Sequence, residues 1–132
     1  MDRYTSEESE RALKVVLSVI SRCEKAQPKF VEGTSQHTLL KNRIRAMYIS
    51  SSLLKDENIT EKYTKEELIA ALPPVSSIIS KCEKAQLKLA EGTAQHARLR
   101  DMIQAMNISK TLIEDEISKR VLSFTDPVLR GN

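Results

Sequence analysis

The 132-residue chain has few of the residues that interrupt helices or cross-link small folds. It contains three glycines, four prolines, two cysteines, three tyrosines, two phenylalanines and no tryptophan. Glycine and proline are too rare for a collagen-like or low-complexity chain, and two cysteines are too few for a disulfide framework. With 40% hydrophobic and 30% charged residues, the composition predicts a single all-α domain with one hydrophobic core.

Long apolar runs are also missing. The longest, VVLSVI at residues 15–20, is far shorter than the roughly 20 residues that span a membrane, and the first residues lack the apolar stretch of a signal peptide. We therefore expect a cytoplasmic protein that does not act at a membrane. The net charge of +3 is spread along the chain, where Lys and Arg alternate with Glu and Asp, so a nucleic-acid partner is not indicated.

The chain contains one internal duplication. Residues 4–57 and 63–116 align at an offset of 59, and 30 of the 54 aligned positions are identical. Two copies are too few for a solenoid, which needs at least about three units, so we predict a pseudo-dimer within a single domain, 1–132. Its parts are repeat one 4–57, linker 58–62, repeat two 63–116 and a C-terminal tail 117–132. We expect the tail to begin as helix and to end as a mobile segment.

Each copy opens with a helix start. Thr5 and Thr64 each precede a glutamate by three residues, which is the pattern of a capping box and predicts helices that begin near Ser6 and Lys65. Apolar residues then follow at alternating spacings of three and four residues, which is typical of a helix that packs in a bundle.

Glu-Gly-Thr separates the two helices of each copy. Gly33 and Gly92 suit the left-handed residue that ends a helix, and Thr34 and Thr93 suit the cap of the next one. A corner this short makes the two helices antiparallel. The predicted fold is an up-down-up-down four-helix bundle, a tandem duplication of a helical hairpin with pseudo-two-fold symmetry. The second helices are expected to bury Leu40, Ile44, Met47, Ile49, Leu53 and Leu54, and Leu99, Ile103, Met106, Ile108, Leu112 and Ile113.

Prolines leave one point of this fold open. Pro28, Pro73 and Pro74 fall inside the predicted first and third helices, where each removes a helical hydrogen bond. A kink at each position is one alternative. The other is a short helix over residues 65–72, followed by a new helix that starts at Pro73 or Pro74.

The corners carry polar residues in both copies. The predicted topology places both corners at one end of the bundle and makes these residues neighbours: Gln27, Thr34, Gln36 and His37 with Gln86, Thr93, Gln95 and His96. One interpretation is structural, because such groups can satisfy one another and fix the helix register. The other is an anion site, because two helix amino termini and two imidazoles would point into the same end.

The cysteines and histidines do not combine into a catalytic or metal site. Cys23 and Cys82 lie ten residues before their glycines, about 15 Å along the helix, whereas each histidine is only about 6 Å along the next one. This separation argues against a zinc site and against a Cys-His nucleophile, and no glycine-rich nucleotide loop is present. We expect no enzyme activity, no metal, no cofactor, and two reduced, mostly buried thiols.

The repeated phrases SxCEKAQxK, EGTxQH and IxAMxIS resemble those of short uncharacterised helical-repeat proteins of Gram-positive gut bacteria and their phages. The resemblance covers both copies and leaves out the C-terminal tail. The resemblance attaches no particular activity to the chain. The phage or mobile-element origin that it implies would favour a host-directed inhibitor or a ligand-sequestering protein.

Two functional hypotheses follow from the sequence. The first is a non-catalytic interaction module that binds a protein partner through its helix surfaces. The second is a binder of a small anionic or nucleotide-like ligand at the bundle end formed by the two Gly-Thr-x-Gln-His corners. Assembly into a homo-oligomer is compatible with either hypothesis.

Overall fold

The computed structural model describes residues 3–125, and side chains as far as residue 121. Within that part the chain forms four helices and no strand, which confirms the all-α class. The helices are α1 (Ser6–Ala26), α2 (Ser35–Leu54), α3 (Lys65–Gln86) and α4 (Ala94–Thr125), with a 3-10 turn at Gln27–Lys29 after α1. The predicted mobile end of the tail lies outside the described residues.

The helices pack as a four-helix bundle. Contacts are most extensive within the pairs α3–α4 and α1–α2, and further contacts join α2 to α3 and α1 to α4. Pseudo-two-fold symmetry and the up-down-up-down order stay predictions. The local features of the two copies nevertheless recur at the same aligned positions, beginning with the helix caps.

Both predicted capping boxes are present. The Thr5 hydroxyl accepts a hydrogen bond from the Glu8 backbone N–H, while the Glu8 carboxylate accepts one from the Thr5 N–H. Thr64 and Glu67 make the same reciprocal pair. Each box satisfies two N–H groups that the first turn of a helix leaves without intrahelical partners, so α1 and α3 begin at the predicted residues.

The prolines act differently in the two copies. The α-helix of the first copy ends at Ala26, and Pro28 lies in the following 3-10 turn. In the second copy α3 runs without a break through Pro73 and Pro74, so the alternative of a separate helix over residues 65–72 is wrong. The carbonyls that these two prolines leave unpaired belong to Ile69 and Ala70, which are exposed, and exposed carbonyls can bond to water.

Small residues are buried at equivalent positions of α2 and α4. They are Ala46 and Ser50 on α2 and Ala105 and Ser109 on α4. Each serine hydroxyl donates to the carbonyl four residues earlier, at 2.9 Å in both copies, so neither hydroxyl is left unsatisfied. Helices α2 and α4 are also in direct contact.

The predicted inward residues of α2 and α4 divide into two groups. Six are buried: Met47, Ile49, Leu54, Met106, Ile108 and Ile113. The others are half-buried: Leu40, Ile44, Leu53, Leu99, Ile103 and Leu112. Both cysteines are free thiols, with Cys23 buried and Cys82 half-buried.

Helix α4 extends past repeat two and forms hydrogen bonds to the linker region between the two copies. Ile59 in the linker is only 1% exposed, and Arg120 donates to the Ile59 carbonyl at 2.9 Å and to the Tyr63 carbonyl. Glu116 pairs with the same guanidinium at 3.3 Å. The start of the predicted tail is therefore helical and holds the linker between the two copies in place.

Candidate functional site

The corner of the first repeat is held by side chains of its own repeat. Gly33 has a φ of 93°, a left-handed conformation that costs a residue with a Cβ free energy. The Thr34 hydroxyl accepts from the His37 N–H at 3.3 Å and donates to the Val31 carbonyl at 2.7 Å. Gln27 closes the corner by donating from Nε2 to the His37 carbonyl at 3.5 Å.

The second corner repeats these bonds. Gly92 has a φ of 90°, and the Thr93 hydroxyl accepts from the His96 N–H at 3.2 Å and donates to the Ala90 carbonyl at 2.8 Å. Gln86 Nε2 donates to the His96 carbonyl at 3.2 Å. The polar residues of the two corners thus have a structural use inside each copy.

The two histidines are half-buried, whereas Gln36 and Gln95 are exposed. Gln27 and Gln86 bond to histidine backbone carbonyls and not to imidazoles. Among residues 3–121, no hydrogen bond joins the polar residues of one corner to those of the other. An anion site across the two corners stays a prediction.

An open cleft of about 210 Å³ is formed by residues of all four helices. It is lined by Val19, Arg22, Cys23, Ala26, Leu40, Arg43, Ile78 and Met102. Val19 and Ile78 are equivalent positions of the two repeats, and so are Arg43 and Met102. Equivalent residues that line one small cleft support the predicted arrangement of both hairpins pointing the same way.

The cleft is electrostatically asymmetric. Arg43 comes from repeat one, its Nε is buried, and this atom has no hydrogen-bond partner among the described residues. Arg22, also on the cleft wall, donates from Nε to the Ser18 carbonyl at 3.5 Å. Repeat two supplies apolar Ile78 and Met102 to the same cleft.

Both thiols are influenced by these guanidinium groups. Burial raises the pKa of Cys23 above its ordinary value, and the charges of Arg43 and Arg22, with a hydrogen bond from Arg43, partly oppose that rise. Burial likewise raises the pKa of Cys82, against the charges of Arg22 and Arg43. Both cysteines are therefore protonated near neutral pH and are weak nucleophiles.

Sequence reasoning did not single out Arg43. A signal was present, because Arg43 follows Leu40 by three residues and precedes Met47 by four, which places it on the inward stripe of α2. The aligned position of the second copy is Met102, so the bundle accommodates an apolar side chain at this position.

Repeat one exposes more large hydrophobic side chains than repeat two. The large hydrophobic side chains exposed among the described residues are Leu17, Phe30, Val31, Leu39 and Tyr48 in repeat one, and Ile69 and Leu87 in repeat two. Leu17 and Tyr48 are 44% and 42% exposed, and their aligned partners in repeat two are the polar Ser76 and Asn107.

Tyr48 is fixed across the α1–α2 pair. Its hydroxyl donates to the Glu24 carboxylate at 2.7 Å, and this bond raises the pKa of Tyr48 above its ordinary value of 10.0. Leu17 precedes Glu24 by seven residues and so lies on the same face of α1, two turns away. We call Leu17, Glu24 and Tyr48 the outer seam of repeat one.

Comparison of the chain with family models, curated proteins and solved structures gives no match. The resemblance to helical-repeat proteins of Gram-positive bacteria and phages stays a prediction. Among the residues that the structure describes, no group of three or more His, Cys, Asp or Glu side chains could hold a metal ion. Within the same part of the chain, every helix is too short or too polar to cross a membrane.

Proposed function

We propose that this chain is a non-catalytic helical interaction module that binds a protein partner through the outer seam of repeat one. The observation that carries the proposal is the contrast between the copies: Leu17 and Tyr48 are exposed, and the other copy has Ser76 and Asn107 at the aligned positions. The bundle can evidently be built with polar residues at these two positions, so folding alone does not account for the exposed pair.

The chemistry of the outer seam suits a protein interface. Tyrosine contributes a large apolar ring and a polar hydroxyl, and it is enriched among residues that dominate binding energy. The bond from Tyr48 to Glu24 holds the ring before a partner arrives, which lowers the entropy lost on binding. Leu17, two turns from Glu24 on the same face of α1, adds exposed apolar area. The Glu24 carboxylate supplies a polar edge of the kind that surrounds interface centres.

The raised pKa of both thiols supports a role without catalysis. Nucleophilic catalysis by cysteine needs the thiolate, which a neighbouring base or a lowered pKa must supply. Burial instead keeps Cys23 and Cys82 protonated. The thiols are better explained as small apolar groups of the bundle interior.

Affinity capture with matched baits tests the proposal. The baits are wild type, the double variant Leu17→Ser with Tyr48→Asn, and the control Ile69→Glu. Each substitution introduces the residue that the other copy carries at the aligned position, so the fold should tolerate all three. Proteins captured from a lysate of the cells that make this chain are quantified, and the enriched protein is then purified for direct binding measurements.

We expect one protein to be enriched by wild type and by Ile69→Glu, and lost with the double variant. With the purified partner, the double variant should weaken binding at least about tenfold, which corresponds to about 1.4 kcal/mol. Equal binding by wild type and the double variant would reject the outer seam as the interface.

A further inference from the structure

The connection between the two repeats is built differently from the two corners. Gly33 and Gly92 supply the positive φ of the corners, which glycine adopts without strain. The connection from α2 to α3, residues 55–64, reads KDENITEKYT and contains neither glycine nor proline. Its positive φ, 61°, belongs to Asp56, and a left-handed conformation costs free energy in a residue with a Cβ. This connection is therefore the strained one, and its sequence contains no strong helix breaker.

Contacts with α4 hold this connection in its bent form. Arg120 lies on the part of α4 that extends past repeat two, and it donates to the Ile59 carbonyl at 2.9 Å and to the Tyr63 carbonyl. Glu116 pairs with the same guanidinium group at 3.3 Å, and the two charged side chains are only 15% and 14% exposed. The Ile59 side chain is buried. We call Ile59, Tyr63, Glu116 and Arg120 the linker clasp.

The contacts between the two hairpins do not depend on which chain supplies each hairpin. Helices α2 and α3 pack against each other, and so do α1 and α4. If residues 55–64 became helical, α2 and α3 would form one long helix and the hairpins of one chain would separate. Each hairpin could then make the same contacts with a second copy of the chain. Exchange of an identical element is a low-cost route to a dimer, and a short, strained hinge promotes it.

We propose that two copies of this chain exchange hairpins by straightening residues 55–64, and that the linker clasp favours the monomer. Straightening relieves the strain at Asp56. It gives up the clasp and the bond in which the Asn58 side chain accepts from the Thr60 N–H at 3.0 Å. The clasp therefore sets the balance between the two forms. The exposed outer seam of repeat one is not used, so this proposal is independent of the protein-binding proposal.

Two substitutions at Asp56 test the hinge. Asp56 is exposed, and both Asp56→Gly and Asp56→Ala remove its carboxylate. Glycine keeps the positive φ without strain, whereas alanine is strained there and is the best helix former. Each variant is unfolded, refolded at several concentrations and held until the monomer-dimer ratio is constant, and the ratio is measured by size-exclusion chromatography with light scattering. We expect the dimer dissociation constant of Asp56→Ala to be lower than that of Asp56→Gly by at least about tenfold.

The same measurement on Arg120→Met tests the clasp. Its control is Lys119→Met, which removes an exposed cation from the neighbouring position of the same helix. We expect Arg120→Met to lower the dimer dissociation constant by at least about tenfold and Lys119→Met to leave it at the wild-type value. The Asp56 pair leaves the clasp in place, so it decides the question if circular dichroism shows that Arg120→Met does not fold.

A distance within one chain distinguishes exchange from ordinary dimerisation. Spin labels are placed at Lys41→Cys on α2 and Lys81→Cys on α3, two exposed positions, after Cys23 and Cys82 are changed to alanine. Labelled chains are diluted with unlabelled ones, so that pulsed electron paramagnetic resonance measures the separation within a chain. We expect about 60 Å in the dimer, the length of 40 residues of continuous helix, and less than half of that in the monomer.

Three results would overturn the proposal. They are the absence of a dimer in Asp56→Ala at every concentration, equal dissociation constants for the two Asp56 variants, and a label separation that is the same in dimer and monomer. The last result would mean that intact bundles associate through their surfaces.

Discussion

The two repeats hold their corners with the same three kinds of side-chain hydrogen bond, from Gln27, Thr34 and the His37 backbone in one copy and from their counterparts in the other. They also bury the same Ala-Met-x-Ile-Ser segment. They differ at Leu17 and Tyr48 on the surface and at Arg43 in the cleft, where repeat two has Ser76, Asn107 and Met102.

This division separates two kinds of residue. Positions with the same residue in both copies include those that cap the helices, form the turns and pack the hairpin interior, because both copies adopt the same helical hairpin. Positions that differ can be changed without changing the hairpin. The exposed pair Leu17 and Tyr48, on which the proposed partner surface depends, belongs to the first repeat.

The largest expected effect tests the part that the copies share. Met47 and Met106 are fully buried at aligned positions, so Met47→Ala and Met106→Ala should each lower the free energy of unfolding by about 2–5 kcal/mol. Denaturant unfolding followed by circular dichroism measures both. Costs that differ by more than about 2 kcal/mol would mean that the two cores are not equivalent.

A smaller effect tests the cleft, where the copies differ. Arg43→Met removes an Nε atom that is buried without a hydrogen-bond partner among the described residues and should stabilise the fold by roughly 1 kcal/mol. Met102→Arg should instead destabilise it by about 1–3 kcal/mol, since another cation would join Arg22 and Arg43 at the cleft. Thermal melts of the two variants at one salt concentration give the comparison, and equal effects of the two changes would contradict the asymmetry of the cleft.

Substitutions of the two corner glycines should also have equal effects on stability. A Cβ at Gly33 or Gly92 would meet no atom within 4 Å, so replacement by alanine costs only the strain of a positive φ, about 1–2 kcal/mol. We expect Gly33→Ala and Gly92→Ala to lower the free energy of unfolding by similar amounts in denaturant titrations. A loss of stability in only one of the two variants would show that the two glycines are not structurally equivalent.

The smallest effect concerns the outer seam. The hydrogen bond to Glu24 raises the pKa of Tyr48, so Glu24→Gln should lower the pKa of Tyr48 in an ultraviolet titration of tyrosinate, with Tyr48→Asn used to assign the signal. Since the folded pKa is raised, the associated stabilisation is present below the ordinary value of 10.0 and is lost as the pH rises through the folded value. An unchanged titration in Glu24→Gln would argue against a fixed Tyr48.

Local rules predicted much of the fold. Capping at Thr5 and Thr64 and the turns at Gly33 and Gly92 depend on residues within one or two helical turns, and the duplication carried these predictions to both copies. The continuity of α3 through Pro73 and Pro74 was not predictable in the same way. It depends on Ile69 and Ala70 lying on the exposed side, which only the packed bundle decides.

The site was harder to predict for a related reason. Gln27 could have bonded the imidazole or the backbone of His37, two acceptors that helix periodicity cannot tell apart. Alanine and serine are buried at positions 46, 50, 105 and 109, and these small residues contribute little to an apolar pattern. Arg43 interrupts such a pattern. Only the structure shows that its Nε is buried without a hydrogen-bond partner among the described residues and that apolar side chains line the same cleft.

Moving the outer seam from one repeat to the other tests its role most directly. A chain with Leu17→Ser, Tyr48→Asn, Ser76→Leu and Asn107→Tyr places the same side chains on repeat two, where Glu83 stands at the position aligned with Glu24. The dissociation constant for the purified partner is measured for this chain, for the double variant of repeat one alone, and for wild type. We predict binding at least about tenfold weaker in the double variant, and recovery to within about tenfold of wild type in the transplanted chain. A double variant that binds as tightly as wild type would contradict the account.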